Sequence, residues 1–307
     1  DLFSRRETSP VFALQNVNLS IPRGQCVGLL GPNGAGKSTL IKILAGVLYP
    51  TSGSVTVNGL DPWKDRDRHR RSVGVIFGHR SQLWWNIPVS ESLRFLAEIY
   101  GVNRQQFAQT LGRLCELLDL GPLLHLPPRE LSLGQRMRCE LVASLIHTPS
   151  VLLLDEPTIG LDLIARVRLR SFLRDLVVMQ DITVLFSSHD LLDVEGVASR
   201  IVVLDRGRVI FDGTQDELRA QYSDFAAQVT VFLDEPASPS LRERLSQHGE
   251  LHWDPGEPWV VRCKVHDASR FVQELMSICS PRDIRIEQPS IEEIVLALYK
   301  KAAHERP

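Results

Sequence analysis

Hydrophobic positions along the chain switch between two spacings, and the switches predict an α/β fold. VFALQNVNLSI (11–21) largely alternates apolar and polar residues, which is typical of a half-buried strand, and CVGLL (26–30) is a short buried run. Apolar residues at helical spacing follow in LIKILAGVL (40–48). VLLLD (151–155) is apolar up to its last residue, as expected for a central parallel strand covered on both faces.

The rest of the chain continues this alternation of strands and helices. Further strands are predicted at SGSVTVNG (52–59), RRSVGVIF (70–77), ITVLFSS (182–188) and, as two strands joined by an Arg-Gly turn, IVVLDRGRVIFDG (201–213). Residues 90–147 are predicted to form an inserted helical subdomain, interrupted only by GPLLHLPPRE (121–130). We therefore expect a mainly parallel sheet in residues 1–222, with antiparallel strands near its N-terminus, and a separate small α/β domain in residues 223–307.

Composition and charge narrow the classes of function. The chain has 307 residues, 43% of them hydrophobic, and a net charge of −2, so no global field draws it to nucleic acid or anionic lipid. Its five cysteines show no metal-binding spacing, which favours reduced thiols. We expect no signal peptide and no membrane span, because no apolar run approaches the roughly 18 residues that crossing a bilayer requires.

A glycine-rich loop between the strand at 26–30 and the next helix predicts a phosphate-binding site. GPNGAGKST (31–39) fits the pattern G-x-x-x-x-G-K-[ST] in the strand–loop–helix setting that this motif needs. Backbone amides of such a loop point at one anion, while Lys37 reaches the β- and γ-phosphates and Ser38 binds Mg²⁺. The predicted nucleotide-binding residues here are Gly31, Pro32, Asn33, Gly34, Ala35, Gly36, Lys37, Ser38 and Thr39. The core is thus predicted to be a RecA-like P-loop NTPase.

A pair of acidic residues ends the buried strand at 151–155. In P-loop folds this strand lies beside the phosphate loop, so Asp155 is predicted to hold Mg²⁺ through water. Glu156 is then placed to polarise the attacking water as a general base. Without the phosphate loop, a solvated strand end would explain the pair equally well.

Three further motifs follow in a fixed order and suggest a family. LSLGQ (131–135) opens a helix, TIGLD (158–162) follows the acidic pair, and SSHD (187–190) ends a strand. Together with the phosphate loop, their order and spacing resemble the nucleotide-binding subunit of ABC transporters over about residues 11–221.

This resemblance implies a site shared by two subunits that meet head to tail. The signature segment of one subunit closes over the γ-phosphate held by the other, and here it comprises Ser132, Leu133, Gly134 and Gln135. Leu133 stands where the family usually has glycine. Asp162 resembles the aspartate that links the two sites, although it also reads as a helix N-cap. His189 resembles the switch histidine that contacts the γ-phosphate.

The loop FGHRSQLWW (77–85) resembles the family's glutamine loop, which senses Mg²⁺ and the attacking water and touches the membrane partner. Counting back from Val89 and Glu91 puts the glutamine position on His79, a predicted catalytic and metal-sensing residue, with Gln82 as the alternative. Trp84 and Trp85 are predicted to contact the permease, since aromatic residues often anchor interfaces. The alternative is that these rings fill the core of the helical subdomain.

The C-terminal segment PSIEEIVLALYK (289–300) resembles that of ATPases serving ABC-2 type exporters. The resemblance therefore implies an ATP- and Mg²⁺-dependent ATPase that dimerises on ATP and drives a separate permease from the cytoplasmic face of the membrane. The partners expected are ABC-2 type permease subunits and a second copy of the chain, or a different ATPase. Phe3 and Phe12 are candidates to stack on adenine. The run from Lys64 to Arg71 is either a solvated mixed-charge helix or a contact to lipid head groups.

A soluble ABC ATPase that acts on nucleic acid or ribosomes is the alternative function. Such proteins usually show a long coiled-coil insert or two tandem ATPase domains with basic linkers. This sequence has one set of motifs, no heptad insert and a slightly negative charge. A regulator that binds nucleotide without hydrolysis would be expected to lack Glu156 or His189.

Overall fold

The computed structural model describes residues 12–78, 80–221, 227–246, 250–253, 259–265, 268–287 and 290–304. The chain divides into two compact units, residues 1–214 and 215–307.

A six-stranded sheet organises the first unit. Its strands are β1 (Cys26–Leu30), β2 (Val73–Phe77), β3 (Val151–Asp155), β4 (Thr183–Ser188), β5 (Arg200–Asp205) and β6 (Arg208–Gly213). The order across the sheet is β2-β3-β4-β1-β5-β6, with all neighbours parallel except β5 and β6, which pair antiparallel. The carboxyl ends of β1 to β4 therefore meet at one edge, where nucleotides bind in open α/β sheets.

Helices cover the sheet and form the inserted subdomain. They are α1 (Lys37–Leu44), α2 (Arg66–Ser72), α3 (Val89–Tyr100), α4 (Arg104–Leu118), α5 (Leu133–Leu145), α6 (Leu163–Gln180) and α7 (Leu191–Glu195). Short 3₁₀ turns occupy residues 121–123 and 128–130 of the stretch that interrupts the predicted helical region. β1, β3 and β4 are buried along their whole length, because helices cover both of their faces.

Within the described residues near the N-terminus, the expected antiparallel strands are not formed, although the α/β fold class is confirmed. Residues 12–25 and 51–56 have no strand structure, and Val57 pairs only with Leu60 in a tight turn. Val17, Leu19 and Ile21 do pack against the core cluster, as their alternation predicts. Alternation indicates which side chains face the core, but a strand also needs a neighbouring backbone at the right distance to pair with.

The second unit is a small antiparallel sheet with two helices between its strands. Its elements are α8 (Gln215–Gln221), β7 (Ala227–Phe232), α9 (Pro239–Ser246), β8 (Glu250–Trp253), β9 (Val260–Val265), α10 (Ala268–Ile278), β10 (Asp283–Glu287) and α11 (Ile291–His304). The strand order β10-β7-β9-β8 with a βαββαβ sequence is the ferredoxin-like arrangement. Val231, Cys263, Phe271 and Leu275 belong to its core.

Within the described residues, no helix is both long enough and apolar enough to cross a lipid bilayer.

Candidate active site

The site lies where the carboxyl ends of three strands are in register. Phe77 of β2 pairs with Asp155 of β3, and Asp155 pairs with Ser187 of β4. β1 ends beside β4, with Leu30 opposite Ser188, so the phosphate loop leaves the sheet at the same edge. Parallel pairing thus brings together motifs that are far apart in the sequence.

The phosphate loop runs directly from β1 into α1. Gly36, at the start of the helix, has φ +106°, and a Cβ on it would lie 2.6 Å from the carbonyl oxygen of Ala13. Only glycine fits this position, both for its backbone conformation and for the close approach. Because α1 begins at Lys37, the amides of its first turn face the loop and add the positive end of the helix dipole.

Lys37, Glu156 and His189 form one connected cluster. Lys37 is 5% exposed, and its Nζ donates to the carbonyl oxygen of Gly31 at 2.6 Å. The same Nζ lies 3.3 Å from Oε1 of Glu156, whose Oε2 lies 2.7 Å from Nδ1 of His189. One carboxylate therefore bridges a phosphate-binding ammonium and a half-exposed imidazole, which is an arrangement suited to orienting and deprotonating a water.

Asp155 is the centre of a second cluster, made of oxygen ligands. Its Oδ1 accepts hydrogen bonds from Ser38 Oγ at 2.9 Å and Ser187 Oγ at 2.8 Å. Ser187 Oγ also accepts the backbone N–H of Glu156 at 2.9 Å. A hydroxyl beside a carboxylate is the hard-oxygen donor set that Mg²⁺ prefers, with waters completing the shell, so these residues fit the metal that the motif implies. Ser187 belongs to the motif SSHD (187–190), but the motif alone does not indicate this contact with Asp155.

The loop after β2 passes close to the acidic pair. Gly78 donates its N–H to the carbonyl oxygen of Asp155 at 2.9 Å, and a Cβ on Gly78 would lie 2.8 Å from that oxygen. His79, the predicted sensor, lies outside the described residues. The alternative, Gln82, donates Nε2–H to the carbonyl oxygen of Val75 at 2.6 Å, so its side-chain amide holds the loop to β2.

The signature segment forms a capped helix start. Ser132 is the N-cap of α5, and it exchanges hydrogen bonds with Gln135: Ser132 N–H donates to Oε1 at 2.8 Å and Gln135 N–H donates to Oγ at 3.2 Å. Leu133 packs on Gly160, where a Cβ would lie 2.6 Å from Leu133 Cδ2. The bulk of Leu133 is therefore accommodated by a glycine in the segment after β3.

The segment around Asp162 connects to the residue after His189. Asp162 is the N-cap of α6, and its Oδ1 accepts the N–H of Ala165 at 2.8 Å, which is the capping role that the sequence suggested. One turn on, Arg166 donates Nε–H to the carbonyl oxygen of Leu161 at 3.2 Å and Nη1–H to Oδ2 of Asp190 at 2.7 Å. Sequence reasoning missed Arg166, since an arginine on a polar helix face gives no distinctive signal.

Both tryptophans of the loop are partly exposed. Trp84 is 43% exposed and lies edge-on to Phe95 of α3, with ring centroids 5.8 Å apart. Trp85 is 50% exposed, with the guanidinium of Arg136 at 5.7 Å from its ring centroid. Neither ring fills the core of the helical subdomain, and Leu83 between Gln82 and Trp84 is the buried residue instead.

The remaining candidates are the two phenylalanines proposed to stack on adenine and the charged run 64–71. Phe12 is 64% exposed, and Phe3 lies outside the described residues. Most of the run from Lys64 to Arg71 lies in α2, which begins at Arg66, and it has local ion pairs such as Arg70–Asp67 at 2.6 Å, as expected of a mixed-charge helix. His69 is buried within it, which the charge pattern alone did not predict.

Comparisons with known proteins agree with this geometry. The family model described as "ABC transporter" matches residues 14–159. The ABC transporter ATP-binding protein NatA of Bacillus subtilis is 33% identical over 68% of this chain and 84% of its own length. The daunorubicin/doxorubicin resistance ATP-binding protein DrrA of Streptomyces peucetius is 31% identical over 96% of this chain and 90% of its own. A sulfate/thiosulfate import ATP-binding protein, CysA of Nitrosomonas europaea, is 35% identical over 94% of this chain and 77% of its own.

A solved structure extends the agreement to three dimensions. The dimeric post-hydrolysis state of an ATP-binding cassette with ADP and phosphate superposes with a TM-score of 0.60, at 25% identity, over 69% of this chain and 94% of that one. The phosphate loop, the acidic pair and the capped signature helix thus occur in a cassette fold whose relative binds the products of ATP hydrolysis. The chain belongs to the ATP-binding proteins of ABC transporters, and it is an ATPase that hydrolyses ATP for transport.

Proposed function

We propose that Lys37, Glu156 and His189 perform the hydrolysis step. The ammonium of Lys37 stabilises charge on the β- and γ-phosphates, and the carboxylate of Glu156 accepts a proton from the attacking water. His189 donates a hydrogen bond to the γ-phosphate and orients Glu156. The single observation that supports this best is the bridging carboxylate, with Oε1 at 3.3 Å from Lys37 and Oε2 at 2.7 Å from His189.

Ser38 and Asp155 are the proposed Mg²⁺ residues. Mg²⁺, when bound there, would neutralise charge on the phosphate oxygens. Ser187 positions Asp155 by donating to its Oδ1 at 2.8 Å. His79 stays the proposed sensor of the metal and the water. It is preferred to Gln82, because the side-chain amide of Gln82 is hydrogen-bonded to the backbone of β2.

Two copies of the chain are proposed to sandwich ATP. The signature residues Ser132, Leu133, Gly134 and Gln135 of one copy then cover the γ-phosphate bound at Lys37 of the other, and Asp162 links the two sites. The capping box supports this role, because Ser132 and Gln135 fix the direction of the first amides of α5. Cassettes of this family form dimers, and a relative is solved in that state.

The surface around Trp84 and Trp85 is the proposed docking site for a helix of the permease. Phe95 and Ile99 extend it along α3, being 51% and 68% exposed. Large aromatic rings in an exposed apolar patch are typical anchors of protein interfaces. This contact would hold the ATPase at the cytoplasmic face of the membrane.

An ABC-2 type exporter is the proposed class of transporter. Export is supported by the C-terminal segment 289–300, by the name of DrrA and by that of YbhF of Escherichia coli, "Probable multidrug ABC transporter ATP-binding protein". The name of CysA indicates import. Residues 1–222 are proposed as the ATPase domain, with the helical subdomain at 90–147, and 223–307 as an accessory domain. The cargo path belongs to the permease, so cargo is identified through the partner.

Affinity purification of the tagged full chain from detergent-solubilised membranes tests this proposal. We expect a multi-span membrane protein to copurify with the parent chain. Trp84→Ala with Trp85→Ala should reduce its recovery about tenfold or more, because truncating aromatic anchors removes most of an interface's affinity. Basal ATP hydrolysis should remain, since neither tryptophan belongs to the phosphate loop, the acidic pair or the signature segment.

Trp259→Ala is the matched control, because Trp259 is 48% exposed in the second unit. It should leave recovery of the membrane protein at the parent level. Recovery of ribosomes or DNA without any membrane protein would contradict the proposal and favour a soluble ABC ATPase. Unchanged recovery by the double variant would show that the permease docks elsewhere.

A further inference from the structure

A buried carboxylate joins the signature helix to the tryptophan loop. Glu140 of α5 is 4% exposed, and it sits in the run 139–146, where Ser144 is the other polar residue. Its Oε1 accepts the hydroxyl of Ser81, and its Oε2 accepts the backbone N–H of Gln82 at 3.0 Å. Both donors belong to the loop that contains Trp84 and Trp85.

The tryptophan loop donates hydrogen bonds to the buried Glu140 carboxylate, which would destabilise the fold if it had no donors. Burial raises the pKa of the Glu140 carboxyl, and the hydrogen bonds from Ser81 and the loop backbone oppose that shift. Arg136, one turn earlier on α5, lies near enough to lower the same pKa. A buried acceptor that loses its donors costs more free energy than the hydrogen bond contributes, so the loop and α5 separate only at high cost.

α5 runs from the signature segment, at its N-terminus, past the tryptophan loop to the sheet. Ser132 caps its N-terminus, and Glu140 lies about 12 Å further along the axis at 1.5 Å per residue. Arg136, between them, stacks over the ring of Trp85 at 5.7 Å. Towards the C-terminus the backbone of Ser144 approaches Gly74 of β2 so closely that no Cβ would fit there. The helix is therefore held to the sheet near Ser144 and to the loop at Glu140.

We propose that Glu140 is a positioning residue that makes the tryptophan loop and the signature helix move as one unit. A partner that displaces the rings of Trp84 and Trp85 then displaces Ser132, and with it the closing of the ATP sandwich. Without the Glu140 contacts, α5 turns about its contact with β2, and Ser132 no longer keeps its place. This inference rests on the proposed function, because it couples the proposed docking surface at Trp84 and Trp85 to the proposed signature residue Ser132.

ATP-dependent dimerisation of the full chain tests the inference by sedimentation, in a Glu156→Gln background that is expected to bind ATP without hydrolysing it. Glu140→Met keeps the length of the side chain and removes both acceptors, so it should weaken dimerisation about tenfold or more. Ser81→Ala removes one donor from the loop side and should weaken it in the same direction. Because the two substitutions break one link, the double variant should be no worse than Glu140→Met alone.

Two further variants separate coupling from folding. Glu140→Gln retains an acceptor for the Gln82 amide and a partner for Ser81, so it should dimerise nearly as well as the parent. Ser144→Ala removes another buried polar group of α5, a hydroxyl that donates within the helix to the carbonyl oxygen of Leu141, so it should match the parent. A fluorescent ATP analogue should bind all monomers with affinities within about twofold, since Lys37 and Ser38 lie on α1.

The outcomes are distinguishable. Dimerisation of both Glu140→Met and Ser81→Ala at the level of Ser144→Ala, or losses that add in the double variant, would overturn the inference and leave the proposed function intact. If Glu140→Met does not fold, Ser81→Ala alone tests the inference: weaker dimerisation than Ser144→Ala supports it, and equal dimerisation overturns it. A Glu156→Gln chain that stays monomeric with saturating ATP would overturn both the sandwich and the coupling.

Discussion

At the scale of single residues, the site depends on a glutamate in an unusual backbone conformation. Glu156 has φ +54°, in the left-handed region that non-glycine residues rarely adopt. Its N–H is held by Ser187 Oγ at 2.9 Å, while its carboxylate is held by Lys37 and His189. Such strain persists where surrounding contacts determine the conformation, and it is concentrated at functional sites.

Replacing Glu156 by Gln tests the assignment of the base. The carboxamide keeps the shape of the side chain but accepts no proton, so the hydrolysis rate should fall about a hundredfold or more while ATP still binds. Steady-state ATPase assays and nucleotide binding of the purified chain measure both. Glu116→Gln, on the exposed face of α4, is the control and should match the parent. Hydrolysis by Glu156→Gln at the parent rate would show that another group takes the proton.

At the scale of secondary-structure elements, the connection from α5 to β3 contains a buried titratable ring. His147 follows α5, stacks on Tyr100 with ring centroids 3.9 Å apart, and lies 3.2 Å from the carbonyl oxygen of Val73 through Nε2. Burial lowers the pKa of His147 to about 4. The folded chain therefore favours the neutral ring, whereas the unfolded chain protonates it below about pH 6.5.

The buried ring of His147 should make the first unit less stable in acid. The stability that depends on neutral His147 is fully present above about pH 6.5 and is lost as the pH falls towards 4, by an amount on the order of 3 kcal/mol. His147→Gln keeps a donor for Val73 and cannot be protonated, so it should be less sensitive to pH. Urea unfolding at pH 7.5 and 5.0 measures the difference. Equal loss of stability in parent and variant would contradict the burial of a neutral ring.

The elements also show what sequence patterns can predict. Apolar runs predicted the buried strands β1, β3 and β4 nearly to the residue, because burial on both faces leaves few polar positions. The phosphate loop and the acidic pair were predicted because each chemistry requires a definite order of residues. Glu140 and Arg166 were missed, because their partners lie 59 and 24 residues away and no local pattern marks them. The strands predicted near the N-terminus are not formed in residues 12–25 and 51–56, because alternation does not specify a pairing partner.

At the scale of the whole molecule, the proposed ATP site is divided into two halves, which one chain carries at different places. The sheet edge holds the phosphate loop and the acidic pair, whereas Ser132 begins a helix of the inserted subdomain. In a symmetric dimer, each site would combine the first half of one copy with the second half of the other. In the proposed dimer neither half is complete alone, so we expect ATP binding and association to be linked.

Mixing two inactive variants tests this claim most directly. Lys37→Ala removes the phosphate-binding ammonium, and Ser132→Phe blocks the signature, so each variant alone should hydrolyse almost no ATP. In a mixed dimer one site contains both defects and the other contains neither. An equal mixture should therefore recover up to about a quarter of the parent rate, since half of the dimers are mixed and each has one intact site. A mixture no more active than its separate components, or a Ser132→Phe chain that hydrolyses ATP at the parent rate as a monomer, would contradict the account.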